Sequence, residues 1–467
     1  MNNPRRSVII PAEILNREFD AKLLLAAIAA ERGFKVIVGC RSKINNWMSF
    51  MPRSIYLAKG MTARTLRMFK IMKDLGHAMV SCDEEALVYF SPEIYYKRRL
   101  SPPVLSHTSA LFAWGQNNYD LWRSAKDYHG VPIYITGHPR ADLMRPELKN
   151  FYSKDIKKLH DQYGQYILVN SNFSLVNKIF SNLTPLPDPD ASGKEAQGKL
   201  GMGYTVELAR HKNILFKEFL NLIPTLAQKF PNYSIVVRPH PAENHQAWQN
   251  AAHGLSNVHV IHQGNIIPWI LASKIVIHNG CTTAIEAALL NHPVVAYQPV
   301  IDQDYDDVLP NRVSYSATNP DSLIAMIKDL DDQKSNLYLN KDNHKLKQEE
   351  ELKNYINGLK GPFASERIVD ALEELDDNGV IPAQKPSLNT RFDAHKRIWQ
   401  RRWKKYKRSK RPGHRNNALI IESVFPTLPL SEVKDKLERL KTNLNRFDNI
   451  KVTQFARNVF KLTKIKS

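Results

Sequence analysis

The sequence predicts an α/β protein of two Rossmann-like domains followed by a basic helical tail. Three observations predict it. Short β-branched and aliphatic runs alternate with helical patterns through residues 7–375, as parallel βαβ units require. A second round of that alternation begins after a polar, Lys-rich stretch at 147–163. From Lys385 onward the chain holds 23 Lys and Arg against 6 Asp and Glu, which is +17 of its formal +20 and leaves the rest near neutral. The expected domains are 1–150, 160–375 and the tail 385–467.

The 467 residues suffice for two domains with sizeable cores. Cys40, Cys82 and Cys281 have no metal-ligand spacing and suit a reducing compartment. The opening Met-Asn-Asn-Pro-Arg-Arg runs straight into a strand, without a signal-peptide pattern. The longest apolar stretch, Leu23–Ala30, is too short to span a bilayer. A cytoplasmic location is expected.

Ser7–Ile10 reads as a buried strand, Asp20–Arg32 as a helix closed by Gly33, and Phe34–Gly39 as the next strand. No G-x-G-x-x-G follows the first strand, so a dinucleotide site is not expected. The loop instead carries Glu13, Asn16 and Arg17. Ligands of open parallel sheets sit at strand C-terminal ends, which makes Glu13 a candidate base or substrate ligand. The plainer alternative is a solvated loop carboxylate. Strands are expected at Ile55–Leu57 and Ala78–Ser81, with a helix near Thr62–Leu75. The second strand runs into Cys82-Asp83-Glu84-Glu85. Repulsion among these three adjacent carboxylates could raise one pKa toward general-base range. Alternatively these acids favour a helix N-terminus. Ile133–Ile135 leads to a polar turn with His138.

Tyr166–Val169 reads as the first strand of the second domain, and Asn170-Ser171-Asn172-Phe173 as its loop, a candidate phosphate or acceptor contact. Pro185–Gly203 has the composition of a mobile loop, and a long helix is expected over Val206–Lys229. Ser234–Val237 ends in Arg238-Pro239-His240-Pro241. The prolines fix the backbone; Arg238 and His240 suit a phosphate oxyanion, and His240 can protonate a leaving phosphate. A structural turn is the alternative. After strand Val258–Ile261 and a short helix at Ile267–Ser273 comes the central unit. Lys274–Ile277 is a strand, His278-Asn279-Gly280-Cys281-Thr282-Thr283 a small-residue turn, the segment through Leu290 a helix, and Val294–Tyr297 a strand. Gly280 permits a tight turn, Thr282 or Thr283 can cap the helix, and Glu286 lies one turn further in, within reach of a ribose hydroxyl. Asp304–Asp307 reads as a surface loop.

The Arg238–Pro241 and His278–Ala287 pair resembles the C-terminal domain of GT-B glycosyltransferases with an HP motif, such as capsule Kdo transferases, sialyltransferases and CDP-glycerol glycerophosphotransferases, the last of which would make glycerophosphate transfer a variant of the same reading. Pro11–Glu13, Cys82–Leu87, Thr136–Leu143 and Asn170–Phe173 are similar to bacterial surface carbohydrate biosynthesis proteins, so the resemblance covers about residues 7–375. It implies two domains facing a cleft and sugar transfer from a nucleotide donor to a surface polysaccharide or lipid-linked acceptor. The leading donor is a CMP-activated ulosonic acid such as Kdo, with a UDP-linked sugar also open. It also implies that Asn170, Ser171, Asn172, Arg238, His240, Pro241, Thr282 and Thr283 contact the nucleotide. His278, Asn279 and Gly280 shape the phosphate turn, and Glu286 binds the ribose. Glu13, Asp83 and His240 are the catalytic candidates. No metal and no cofactor beyond the substrate is implied. The rivals are a UDP-N-acetylhexosamine 2-epimerase and a non-catalytic GT-B scaffold.

The tail falls outside that resemblance. On a helix, Trp399, Trp403 and Tyr406 form one stripe among Arg401, Arg402, Lys404 and Lys405. An amphipathic helix on the anionic inner-membrane surface is the favoured expectation, ahead of packing on the globule or binding nucleic acid. Ser431–Lys461 is expected to add helix, packing on the domains or on a second subunit of a homodimer.

Overall fold

The computed structural model describes residues 6–89, 91–178, 206–306, 308–332, 334–411, 414 and 417–465. The expected loop at Pro185–Gly203 lies outside these residues. The chain forms two compact units, one of residues 1–151 with 354–467, the other of Tyr152–Lys353.

The first unit holds strands β1 (Ser7–Ala12), β2 (Lys35–Cys40), β3 (Ser54–Ala58), β4 (Ala78–Ser81), β5 (Ala110–Ala113) and β6 (Ile133–Ile135). The second holds β7 (Tyr166–Asn170), β8 (Ser234–Arg238), β9 (Val258–Val260), β10 (Ile275–His278), β11 (Val294–Tyr297) and β12 (Tyr315–Ala317). The chain ends in β13 (Ile450–Ala456) and β14 (Val459–Lys464). The sheets run β13-β14-β2-β1-β3-β4-β5-β6 and β12-β11-β10-β7-β8-β9. β1–β12 pair in parallel, which explains their near-continuous apolar sequences: both faces are covered. The helix Leu15–Glu31 is buried over Glu18–Ala30, far more than one stripe, because it lies in the core of the first unit.

Among the parallel strands the order reverses once in each sheet. The chain leaves β1 toward β2 and returns to β3 on the other side; it leaves β7 toward β8 and β9 and returns to β10. Ligands of doubly wound sheets bind at such a reversal, outside the strand C-termini.

Two expectations about the C-terminal part need correction. The chain does not stay with the second unit to 375. It re-enters the first at Asn354, and the helix Ala364–Asp377 packs on Leu15–Glu31. The buried Asp142 fixes that return by accepting the N–H groups of Ala364 and Ser365, both at 2.8 Å, at the helix N-terminus. Nor is the tail wholly helical. Leu388–Ser409 and Leu430–Leu444 are helices, but Asn445 and Phe447 take positive φ and end the helical run. β13 and β14 then form a hairpin, with β14 antiparallel to β2 and Val459, Phe460 and Leu462 buried. Gly39 (φ 149°) admits this strand: a Cβ there would collide with the Asn458 carbonyl.

Candidate functional site

In the second unit, Asn170 ends β7, Arg238 ends β8 and His278 ends β10, and the register sets all three side by side. The strand ends that flank the reversal therefore carry the polar loops singled out in the sequence. Asn170 Nδ2 donates to Thr283 Oγ1 at 2.8 Å, and the Asn172 N–H donates to Asn279 Oδ1 at 2.9 Å. His278 is fully buried. Its Nδ1 accepts the Gly280 N–H at 2.9 Å, and its other ring nitrogen meets Ser314 Oγ at 2.8 Å. Burial holds its pKa down at about 3, so it is neutral and supports the turn from within. Gly280 takes φ 86°, the left-handed conformation this turn needs. Thr282 stands at the N-cap position of Thr283–Leu289, yet its side chain makes no capping bond, and the Thr283 hydroxyl faces Asn170 instead. Glu286 sits on this helix and is buried.

Arg238 departs from expectation. Its guanidinium turns beneath the strand end and donates to the carbonyls of Gln263 (2.5 Å) and Gly264 (3.2 Å), 4.9 Å over the Trp269 ring. Burial lowers its pKa to about 10. The carbonyls and the ring already occupy the group expected at a phosphate. Ser171 is likewise buried, with its hydroxyl on Glu243.

Glu243 is the residue that sequence reasoning missed. It is fully buried and accepts four bonds: Ser171 Oγ (2.9 Å), Phe173 N–H (2.9 Å), His240 N–H (3.0 Å) and Trp248 Nε1 (3.0 Å). Burial pushes its pKa up and the donors oppose the shift; since every partner donates, the site is built for the carboxylate. It ties the loop after β7 to the Arg238–Pro241 turn. Phe173 pins the same loop in the core against Phe216, Phe219 and Trp248. The available signal was an acid two residues past His-Pro, a place where a solvated side chain is the ordinary reading. His240 itself is half-buried, with Nδ1 accepting the Ala242 N–H at 3.2 Å, and Pro241 is exposed. Asp306 is more than a loop acid: it lies 2.8 Å from the buried His211.

In the first unit, Glu13 follows β1 and Lys59 follows β3, so the pair spans the other reversal at 3.0 Å. Glu13 also meets Arg41 at 2.7 Å, and Lys59 meets the buried Glu18 at 2.6 Å. Burial would raise the Glu13 pKa, but the two cations outweigh it and the carboxyl titrates below its ordinary range. Its side chain remains 43% exposed.

The carboxylate run at 83–85 is not a repelling cluster and does not begin a helix. Each acid takes its own cation: Asp83 pairs with Arg99, Glu84 with Lys22 at 2.6 Å, Glu85 with Arg17 at 3.1 Å. Asp83 is fully buried and also accepts the Tyr95 hydroxyl at 2.7 Å. Burial alone would raise the Glu84 pKa; Lys22 and His138 hold it well below the usual range. His138 Nδ1 accepts the Arg140 N–H, so its proton sits on Nε2, 3.1 Å from Glu84, while its ring stacks on Trp114 at 3.8 Å. Among the described residues, no group of three or more His, Cys, Asp or Glu could hold a metal ion, and no helix is long and apolar enough to cross a membrane.

Comparison with protein-family profiles finds no match, and comparison with curated proteins finds none. Solved structures do match. The wall teichoic acid polymerase TagF aligns with TM-scores of 0.50 and 0.51 in two of its histidine variants, one of them soaked with CDPG. Identity is 11%, over 81% of this chain and 90–91% of that one. A UDP-GlcNAc 2-epimerase from Neisseria meningitidis aligns with a TM-score of 0.46 at 13% identity, over 79% of this chain and 99% of that one. The fold is thus the GT-B type of α/β fold, with two Rossmann-like units.

Proposed function

We propose that the protein is a glycosyltransferase whose second unit binds a nucleotide-activated donor at the β7/β10 reversal. The observation that carries this reading is the knitting of three conformationally fixed strand-end loops, Asn170–Phe173, Arg238–Pro241 and His278–Thr283, by Glu243 and the Asn170–Thr283 bond. Asn170, Asn172, His240, Thr282 and Thr283 contact the nucleotide phosphates, and Glu286 the ribose. Arg238, Ser171, His278 and Glu243 hold these groups in place from beneath. His240 stabilises the charge that develops on the leaving phosphate. In the first unit Glu13, and not the fully buried Asp83, takes the proton of the acceptor hydroxyl.

The leading donor is a CMP-activated ulosonic acid such as Kdo, and the acceptor a surface polysaccharide or lipid-linked glycan. Cleavage of the sugar–phosphate bond leaves the charge on CMP, so no metal is needed where His240 and backbone N–H groups receive it. A thermal-shift and calorimetric panel of CMP, CDP, UDP, UDP-GlcNAc and GDP on wild type and His240→Ala tests the reading, because tight ligands raise the melting temperature by mass action. CDP belongs in it because TagF was soaked with CDPG. CMP-selective binding lost in His240→Ala supports the reading. Selectivity for UDP or GDP changes the donor, turnover of UDP-GlcNAc without acceptor makes the protein an epimerase, and no nucleotide binding leaves a scaffold.

A further inference from the structure

The helix Leu388–Ser409 is attached by one face and bare on another. Ala394 and Ile398 are buried, Arg397 pairs with Asp74, and the helix packs on Leu66–Asp74 and Arg41–Trp47. A second stripe points to solvent. Leu388, Phe392, His395, Trp399, Trp403 and Tyr406 follow each other at spacings of four, three, four, four and three residues, one line along the helix. The five apart from His395 are 50–78% exposed. From Leu388 to Tyr406 the line climbs five turns of the helix and is about 27 Å long. Trp399 and Trp403 stack with nearly parallel rings at 6.3 Å.

Other elements extend the stripe. Phe50, 63% exposed, lies 6.4 Å from His395, Trp47 lies 5.6 Å from Phe50, and Phe455 of β13 lies 6.4 Å from Trp47. The rims are cationic. Lys407 sits over Trp403 and Lys410 over Tyr406, while Arg402 covers Trp47. No Asp or Glu occurs between Asp393 and Glu422. A cavity beside the stripe is lined by Arg53, Lys385, Arg391 and His395, with no carboxylate.

We infer that this face docks flat on an anionic phospholipid surface, with the aromatic line in the headgroup–acyl boundary and the lysines and arginines on lipid phosphates. Charge complementarity selects this occupant. A second copy would bring cations against cations, and a nucleic acid, whose bases could stack on the rings, offers no apolar medium for the exposed aliphatic side chain of Leu388 at the head of the line. The inference stands apart from the transferase reading, because docking needs no substrate.

The test is flotation of the full chain with vesicles of phosphatidylcholine alone or mixed with phosphatidylglycerol. The expected result is binding to the mixed vesicles only, weakened by salt. Trp399→Ala/Trp403→Ala and Lys404→Glu/Lys407→Glu/Lys410→Glu alter exposed side chains, so their melting temperatures should match wild type. Each should weaken vesicle binding, the charge reversal by more than about a hundredfold. Brominated lipid should quench wild-type tryptophan fluorescence, a readout that needs no variant. Absence of flotation with anionic vesicles, unchanged binding in both variants, or a single-stranded RNA that displaces the protein from vesicles would each overturn the inference.

Discussion

Asn170 reaches across the strand reversal of the second unit to donate its amide N–H to Thr283 Oγ1 at 2.8 Å. This bond joins the end of β7 to the start of the helix after β10. A nucleotide phosphate received here would take the Asn170 amide and the Thr283 hydroxyl as donors already aimed. Thr283→Val keeps the shape and removes the hydroxyl. It should weaken nucleotide binding by about tenfold, the scale of one hydrogen bond to a charged group, and lower stability by about 1 kcal/mol because the Asn170 amide loses its acceptor. Calorimetric titration checks it; equal affinity in both proteins would move the phosphate elsewhere.

Glu243 should be a stability residue before it is a binding residue. In Glu243→Gln the amide presents a donor where Trp248 or the backbone N–H groups already donate, leaving buried donors unpaired. The loss should be about 2–4 kcal/mol, or roughly 5–15 °C in melting temperature for a unit of this size. Glu243→Asp, which keeps the charge but shortens the reach, should lose less. Denaturation curves of the two variants decide it, and a Gln variant as stable as wild type would contradict the network described above.

The two acids of the first unit should behave oppositely. Glu13→Gln removes a half-exposed carboxylate, so the fold should persist while turnover falls by about a hundredfold or more, as loss of a general base implies. Asp83→Asn leaves the Arg99 charge without its buried partner and should destabilise by about 3–5 kcal/mol. Melting temperatures alongside turnover with the donor found by the nucleotide panel separate the two. A stable Asp83→Asn protein with no activity would return Asp83 to the catalytic role.

Acid should unfold this protein through its histidines. Burial lowers His278 to about 3 and His77, His262 and His292 to about 4 from an ordinary value of 6.5. The unfolded chain takes up protons as pH falls through 6.5, while the folded chain keeps these rings neutral. The stability they contribute is therefore complete above pH 6.5 and is lost as pH falls toward 4. Each ring adds about 1.4 kcal/mol per pH unit within that window. Melting temperature against pH should show this slope, and His278→Asn, which cannot take up the proton, should make it shallower.

Much of the candidate site was legible locally. Asn170, His240 and Gly280–Thr283 stand where an apolar run gives way to a polar turn, and that change is visible in a few residues. The direction of Arg238 was not legible, since the carbonyls of Gln263 and Gly264 and the Trp269 ring that capture it lie some 25 to 31 residues further on. The run Asp83–Glu85 reads as a crowd of like charges in sequence, whereas Arg99, Lys22 and Arg17 come from three separate places to divide it.

The parallel βαβ order, the polar strand ends and the aromatic line of the tail helix are all written in the residue pattern. Period-two and period-3.6 patterns and turn residues act over one element at a time. Packing set the rest: Glu243 binds the loop 70 residues before it, the chain returns to the first unit at Asn354, and β14 closes on β2 beside Gly39. Those outcomes depend on which unpaired donors, carboxylates and strand edges come within bonding distance once the cores have packed, and no local pattern carries that distance.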